Sequence, residues 1–382
     1  MGRAWRFALH VSILFAPLTL RGTTVRNRAW LSPMCQYSAV DGVPNDWHLV
    51  HLGARAAGGF GLVLTEATAV TADGRISPQD TGLWNEQQTA AWARITDVIH
   101  ARGAVAGVQL AHAGRKASTF RPFHEGHGSV PVPDGGWGTV APSGVEFPGY
   151  EAPRELSDDE VAAIPATFAA AARRALDAGF DVAEVHAAHG YLLHQFLSPL
   201  SNRRTDRWGG SPENRVRLLH QVVDAVREVW PDERPVVVRL SATDWTEGGL
   251  TVDDVAEVAR GLAGRGVDLV DVSTGGNVPA QIPPGPGYQV PPARRIREVS
   301  GLPVSAVGLI SAAAQAEQVL VEGSADAVMI ARAALRDPSW ALHAAAELGL
   351  SLPTLEHVGA DARVAPGQPT GWPVQYERAV RG

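Results

Sequence analysis

The sequence predicts an α/β fold of the (β/α)8 TIM-barrel type, and three observations carry that expectation. Eight short apolar runs rich in Val, Leu and Ile recur along the chain, as strands buried on both faces require. Helical patterns with recognisable ends lie between most of them, so the strands run parallel. No G-x-G-x-x-G follows the first run, which removes the main support for an open, doubly wound dinucleotide fold. Eight repeats then favour a closed barrel.

In chain order the runs are Trp30–Cys35, Gly61–Glu66, Ala104–Leu110, Phe180–Val185, Val236–Leu240, Asp268–Val272, Val304–Val307 and Ala325–Ile330. Ser157–Glu160 reads SDDE, a capping box: the serine oxygen accepts a backbone N–H and the glutamate reaches back. That helix stops near Gly179. Ser211 caps a helix with Pro212 at its first position, where a missing N–H costs nothing. Thr251 opens a further helix that closes by Gly266, and another runs from about Ser311 to Gly323.

Two stretches interrupt this rhythm. Thr119 to Pro153 is rich in Gly, Pro and aromatics, including Gly135–Trp137. A loop this long after the third strand is expected to be a lid or a substrate wall. His357 to Trp372 has the same composition and leads to a short tail. The expected organisation is one barrel domain over 15–356, with an N-terminal extension at 1–14 and a C-terminal loop and tail at 357–382.

Composition fits one large core. The chain has 382 residues, within the span of roughly 200 to over 400 typical of such barrels. Hydrophobic residues make up 45%, and 33 basic against 40 acidic residues give −7 without charged blocks. That balance argues against a nucleic-acid or anionic-membrane partner. Cys35 is the single cysteine, so no intrachain disulfide forms and a reducing cytoplasm is expected. Arg3 and Arg6 precede the apolar run Phe7–Ala16, as at the start of a signal peptide. His10 and Ser12 interrupt that run, however, and it leads into FAPLTLRG, which reads as folded structure. No run approaches the roughly 18 apolar residues of a membrane span.

In this fold the active site lies at the C-terminal ends of the strands. Polar or small residues gather there: Met34, Cys35 and Tyr37 after the first run, Glu66 and Ala67 at the second, Gln109 at the third, His186 to Tyr191 at the fourth. Arg239 ends the fifth, Ser273 to Gly276 the sixth, Gly308 the seventh, and Ala331 and Arg332 the eighth. Gly308 permits close backbone approach, and Arg332 offers a fork of donors suited to a phosphate. The loops after strands seven and eight are the usual phosphate position of the fold. His186 and His189, three apart at a strand end, can point into one pocket. They could bind a metal, although zinc needs a third protein ligand, or they could grip a carbonyl oxygen with paired N–H donors. The spacing alone is weak, because His48–His51, in a helix-like stretch, and His124–His127, in a loop, repeat it. Tyr191 lies two residues on and could supply a proton.

Longer strings add a resemblance. SPMCQYS (Ser32–Ser38), EATAV (Glu66–Val70), GRISPQDTGLW (Gly74–Trp84), GVQLAHAGRKA (Gly107–Ala117), HAAHGYLLHQFLSPLSNRRTDRWGGSPENR (His186–Arg215), VVRLSATD and PVQYER (Pro373–Arg378) resemble the cysteine-bearing, thermophilic-like class of the Old Yellow Enzyme family. The resemblance covers the chain from about Phe15 onward. It implies an FMN-binding barrel that takes hydride from NADPH or NADH and reduces the activated C=C bond of α,β-unsaturated carbonyl compounds, with nitro compounds and quinones as further acceptors.

Carried over by position, the resemblance places Ser32, Pro33, Met34 and Cys35 along the flavin, and Ala67 and Gln109 on its ring. Arg239 falls near N1 and the C2 carbonyl, and Gly308, Ala331 and Arg332 on the phosphate. Tyr37, His186 and His189 are expected to bind the substrate carbonyl, Tyr191 to be the acid, and Arg378 to sit in a tail inserted into a neighbouring subunit of a homodimer or homotetramer. Ala331 stands where the family usually has glycine, and the insertion before Pro373 is longer than the family pattern. Competing expectations are a metal-dependent barrel hydrolase using the paired histidines and a non-catalytic FMN-binding protein. Relatives with an iron–sulfur cluster are excluded by the single cysteine.

Overall fold

Strands buried on both faces need side chains that pack against the helices outside and fill the interior, and the apolar runs supply most of them. The computed structural model describes residues 12–123, 126–355, 370–376 and 378. The chain opens with an antiparallel hairpin, β1 (Leu18–Leu20) and β2 (Thr23–Val25), and then enters β3 (Ala29–Leu31), β4 (Leu62–Ala69) and β5 (Val105–Ala111). β6 (Val140–Ala141) and β7 (Arg154–Glu155) pair within the long loop. β8 (Val182–Ala187), β9 (Val236–Ser241), β10 (Leu269–Ser273), β11 (Val304–Ala306) and β12 (Ala327–Ile330) follow. Strands β3, β4, β5 and β8 to β12 close into one parallel barrel in chain order. Each of the eight predicted runs forms one of its strands.

Helices cover the outside: α1 (Asp46–Ala57), α2 (Glu86–His100), α3 (Asp158–Asp177), α4 (Leu192–Leu197), α5 (Pro212–Arg215), α6 (Arg217–Val229), α7 (Val252–Ala263), α8 (Val290–Ser300), α9 (Ala313–Val321), α10 (Arg332–Arg336) and α11 (Trp340–Glu347). The Ser157 and Thr251 capping boxes form as expected. The helix-like stretch at His48–His51 is part of α1, capped by Asn45, whereas α2, capped by Asn85, is missed by sequence reading.

Alternation along the strands sorts the interior into layers. The floor is apolar: Trp30, Leu62, Leu64, Val182, Val237, Leu269 and Met329 pack with Leu20 and Val25 of the hairpin, which plugs the N-terminal end. One residue pair further up, Gln109, Glu184, Arg239, Asp271 and Ser305 form a buried polar layer. Above it the strand ends open to a cavity.

Two strands depart from the expected bounds. The first stops at Leu31, four residues early, because Pro33 has no N–H to continue the ladder. The second runs on to Ala69 through an irregularity between Leu64 and Ala67. That extra residue turns Glu66 outward and Ala67 inward. Among the described residues no helix is long and apolar enough to cross a membrane. A last pair, β13 (Thr354–Leu355) and β14 (Trp372–Pro373), ties the C-terminal segment to the body. Residues 1–11, His124 and 356–369 lie outside the described residues, and with them most of the predicted extension, one histidine pair and most of the second Gly/Pro-rich stretch.

Candidate active site

The strand ends surround one cavity of about 470 Å³. Its wall brings together Ser32, Pro33, Met34 and Cys35 after β3, Ala67 of β4, Gln109 of β5 and Arg239 of β9. His186, His189 and Tyr191 stand at one side, and Gly308, Ala331 and Arg332 at another. Tyr37 and Arg378 are not among the lining residues. Tyr37 packs beside Cys35, Trp137 and Tyr191, and Arg378 is exposed.

The histidines sit on a turn that the backbone would not choose unaided. His189 has φ 59, a left-handed conformation costly for a side-chain-bearing residue. It is held from several directions. His189 N donates to Ser241 Oγ at 2.9 Å, and Lys116 Nζ donates to His189 O at 2.8 Å and Gly276 O at 2.9 Å. Gly190 follows at φ 73, where a Cβ would lie 2.2 Å from Gly276 O, so only glycine fits. Gly190 N donates to His194 Nδ1, and His194 Nε2 lies 3.0 Å from Asp244. The turn therefore delivers two imidazoles whose centroids are 5.1 Å apart and nearly perpendicular.

Both imidazoles are driven toward the neutral form. Burial lowers His186 and His189 well below the usual histidine range, and the Arg239 and Lys116 cations add to the effect. The Ala188 N–H donates to His186 Nδ1 at 3.3 Å, which leaves Nε2 to carry the proton. His189 Nε2 lies 2.7 Å from Ser273 Oγ. Among the described residues no third His, Cys, Asp or Glu completes a metal-binding group with them. Tyr191 stands 5.0 Å from His186, ring to ring, and burial raises its phenol well above the usual range, so it holds its proton. Burial raises Cys35 as well, with Asp80 and Glu66 behind it, so the sulfur is a thiol. Lys116 is pushed down to about 8 by burial and by Arg115.

At the opposite side the guanidinium of Arg332 makes no hydrogen bond or ion pair with another described residue. Arg336, one turn along α10, lines the same cavity. Gly308 has φ 123, and a Cβ there would press on the Gln289 side chain at 3.1 Å. Sequence reading missed Arg336, Gln289 and Ser311 as lining residues. The i, i+4 spacing from Arg332 was the available signal for Arg336, while Gln289 comes from a loop with no periodic pattern.

Of the long loop after β5, Trp137 packs against the cluster around Ala67, and none of the loop's described residues is among those lining the cavity. Trp137 is fixed by donation to Asp73 O and to Ser118 Oγ, and Arg75 lies 4.9 Å from its ring and 5.5 Å from that of Trp84. Phe147 covers Lys116 at 4.7 Å.

Comparison with known proteins bears on this geometry. Residues 13–351 match the model of the NADH:flavin oxidoreductase / NADH oxidase family. The chain is 45% identical over 373 residues to an NADPH dehydrogenase of Geobacillus thermodenitrificans, covering 97% of this chain and 99% of that protein. It is 47% identical over 342 residues to an NADPH dehydrogenase of Listeria innocua, covering 89% and 96%. Among solved structures, morphinone reductase superposes with a TM-score of 0.74 at 30% identity over 89% of this chain and 91% of that one. The old yellow enzyme homologue from Zymomonas mobilis does so with 0.73 at 28% identity, over 88% and 94%.

Proposed function

The chain belongs to the NADH:flavin oxidoreductase / NADH oxidase family, an Old Yellow Enzyme-type ene-reductase with FMN and NAD(P)H, and from that premise we propose how its residues divide the work. The donor set fits FMN. A guanidinium without a partner among the described residues, Arg332, with Arg336 one turn along, suits a phosphate dianion beside the backbone at Gly308 and Ala331. At the other extreme Gln109 and Arg239 present an amide and a cation where a pyrimidine edge needs them, with Ser32, Pro33, Met34, Cys35 and Ala67 flanking the ring. Bound FMN supplies the redox chemistry, taking hydride from NAD(P)H and passing it to an activated alkene.

The protein contributes orientation and charge. His186 and His189, both neutral, donate N–H groups to the substrate carbonyl oxygen and stabilise the negative charge that builds there. Tyr37 borders that subsite, and Tyr191 holds a proton for the α-carbon. Arg239 supplies positive charge to the flavin edge. The thiol of Cys35 lies beside the ring and tunes its potential. The observation that supports this division best is that one cavity has paired neutral imidazoles at one side and, at the other, a guanidinium with no partner among the described residues.

The tail is proposed to serve a neighbouring subunit of a homodimer or homotetramer. Thr370 accepts a hydrogen bond from Asn27 just before β3, at the plugged end of the barrel. Arg378 follows eight residues later, after β14 and a helical turn, is exposed, and is not among the residues lining its own cavity. A reducing cytoplasm is the setting that suits the lone thiol.

The test is a visible spectrum before and after anaerobic NADPH, then 2-cyclohexenone. Flavin bands that bleach and return support the whole cycle. Bands that bleach but do not return move the acceptor to nitro compounds or quinones. A colourless protein that takes up no FMN overturns the proposal. Truncation before Pro373 should weaken substrate binding and change the oligomeric state. If it does neither, tail exchange is wrong.

A further inference from the structure

Below the cavity floor the barrel buries more negative charge than it can balance. Glu184 of β8 and Asp271 of β10 are both fully inaccessible, and Arg239 of β9 is the cation acting on the pair. Arg239 Nε lies 2.9 Å from Asp271 Oδ2, and Ser305 of β11 donates to Asp271 Oδ1 at 2.7 Å. Asp271 therefore has a countercharge and a donor. Among the described residues Glu184 has neither a cation in ion-pair contact nor a full set of donors. Gln109 Nε2 of β5 donates to Oε1 at 2.6 Å, and Oε2 is buried without a partner. An uncompensated buried carboxylate is costly, so of the two carboxyls Glu184 is the one that holds on to its proton, and it ionises only toward alkaline pH.

Of the three residues that touch these carboxyls, Gln109 and Arg239 also line the cavity above them. We propose that Glu184 is a redox-linked proton carrier: it takes up a proton from water as negative charge arrives over Gln109 and Arg239, and releases it when that charge leaves. The inference rests on the placement of FMN given above. Hydride from NAD(P)H brings two electrons and one proton to the flavin and leaves it one unit more negative. Glu184 binds a second proton from solvent. Hydride then leaves for the alkene, whose α-carbon is protonated separately, and the Glu184 proton returns to solvent. Burial, then Asp271, pushes Glu184 up to about 8, with Arg239 and Gln109 opposing, so the uptake falls at and above that pH. His186, next on the inner face of β8, is held neutral and adds no charge.

The experiment is the midpoint potential of the FMN-loaded protein against pH, for wild type and Glu184→Gln. One proton per two electrons is a tenfold change per pH unit, about 30 mV, and two protons are a hundredfold, about 59 mV. Wild type is expected to steepen from the first slope to the second near pH 8, whereas Glu184→Gln keeps the shallow slope throughout and matches wild type at lower pH. A straight wild-type line, or the same break in the variant, overturns the proposal. Should the variant not fold, wild type labelled with carbon-13 glutamate decides. Reduction at alkaline pH must then add an infrared band of a protonated carboxyl that moves with the label, and its absence sinks the idea. A flavin with an unbroken slope leaves the proposed function standing, whereas a protein that binds no FMN overturns both.

Discussion

His48 and His51 lie outside the barrel wall on α1, and His186 and His189 lie inside it at the end of β8, with the same spacing in both pairs. The outer pair is tied to the scaffold. His48 Nδ1 accepts the Asn45 N–H at 3.0 Å and Nε2 lies 3.1 Å from Glu66, both side chains nearly inaccessible. His51 stacks on Trp47 with 6.3 Å between centroids. The inner pair has one anchor per ring and leaves the other nitrogen to the cavity. On a helix, residues three apart share a face that packs against the wall; at a strand end, a left-handed turn is what brings the second ring beside the first. Identical spacing thus yields structure in one place and a candidate oxyanion grip in the other, and the element beneath decides.

The largest effect that separates the pairs should come from the inner one. Losing one oxyanion donor costs about 2.7–4 kcal/mol in the transition state. His186→Ala or His189→Ala is expected to slow flavin reoxidation by an enone by about a hundredfold or more, while reduction by NADPH and thermal stability change far less. Enone turnover near wild type in both variants would falsify the role.

The outer pair should answer in stability instead. His48→Ala strips Glu66 of a buried partner, at a cost of about 3 kcal/mol. Denaturant unfolding should show that loss, and turnover per folded molecule should stay within about twofold. A collapse of turnover with stability intact would erase the contrast. Glu66 also marks where sequence reading ran out. The eight strands were legible because apolar periodicity is a local signal, and Gln109, Arg239 and Arg332 were legible because strand ends face one way. The irregularity between Leu64 and Ala67 depends on pairing with β5, which no window of residues reveals, so Glu66 and Ala67 read as neighbours at one strand end although they face opposite sides. Ser273 and Gln289 meet through tertiary structure alone. The bounds and cap of α1 were not legible for a different reason: Trp47 and Val50 are exposed, which blurs its apolar stripe.

Acid should test what both pairs share. His51 is lowered to about 3, first by burial and then by Arg55 and His48, and His186 and His189 are lowered as well. Below about pH 6.5 the unfolded chain binds protons that these folded imidazoles refuse. The stability they contribute is therefore full above about pH 6.5 and lost as pH falls, each group by up to about 1.4 kcal/mol per pH unit. Enone reduction per folded molecule should meanwhile show no histidine limb near pH 6.5, because the inner pair stays neutral. A limb at that pH would place a proton on His186 or His189 and remove the neutral-donor reading.

The smallest change concerns a single hydroxyl. Ser273 Oγ lies 2.7 Å from His189 Nε2 and 3.3 Å from Gln289 Oε1. The shorter contact favours donation from Ser273 to Nε2, and Thr274 already supplies Gln289 Oε1 at 2.7 Å. His189 must then carry its proton on Nδ1, the nitrogen left for the cavity. Ser273→Ala removes the group that selects this tautomer, a loss of about 1 kcal/mol, so enone reduction should fall roughly fivefold. Nitrogen chemical shifts of labelled His189 should report a mixture of tautomers in the variant and one in wild type. If Ser273→Ala leaves both rate and shifts unchanged, the turn alone orients His189, and the inner pair needs no more side-chain support than the outer one.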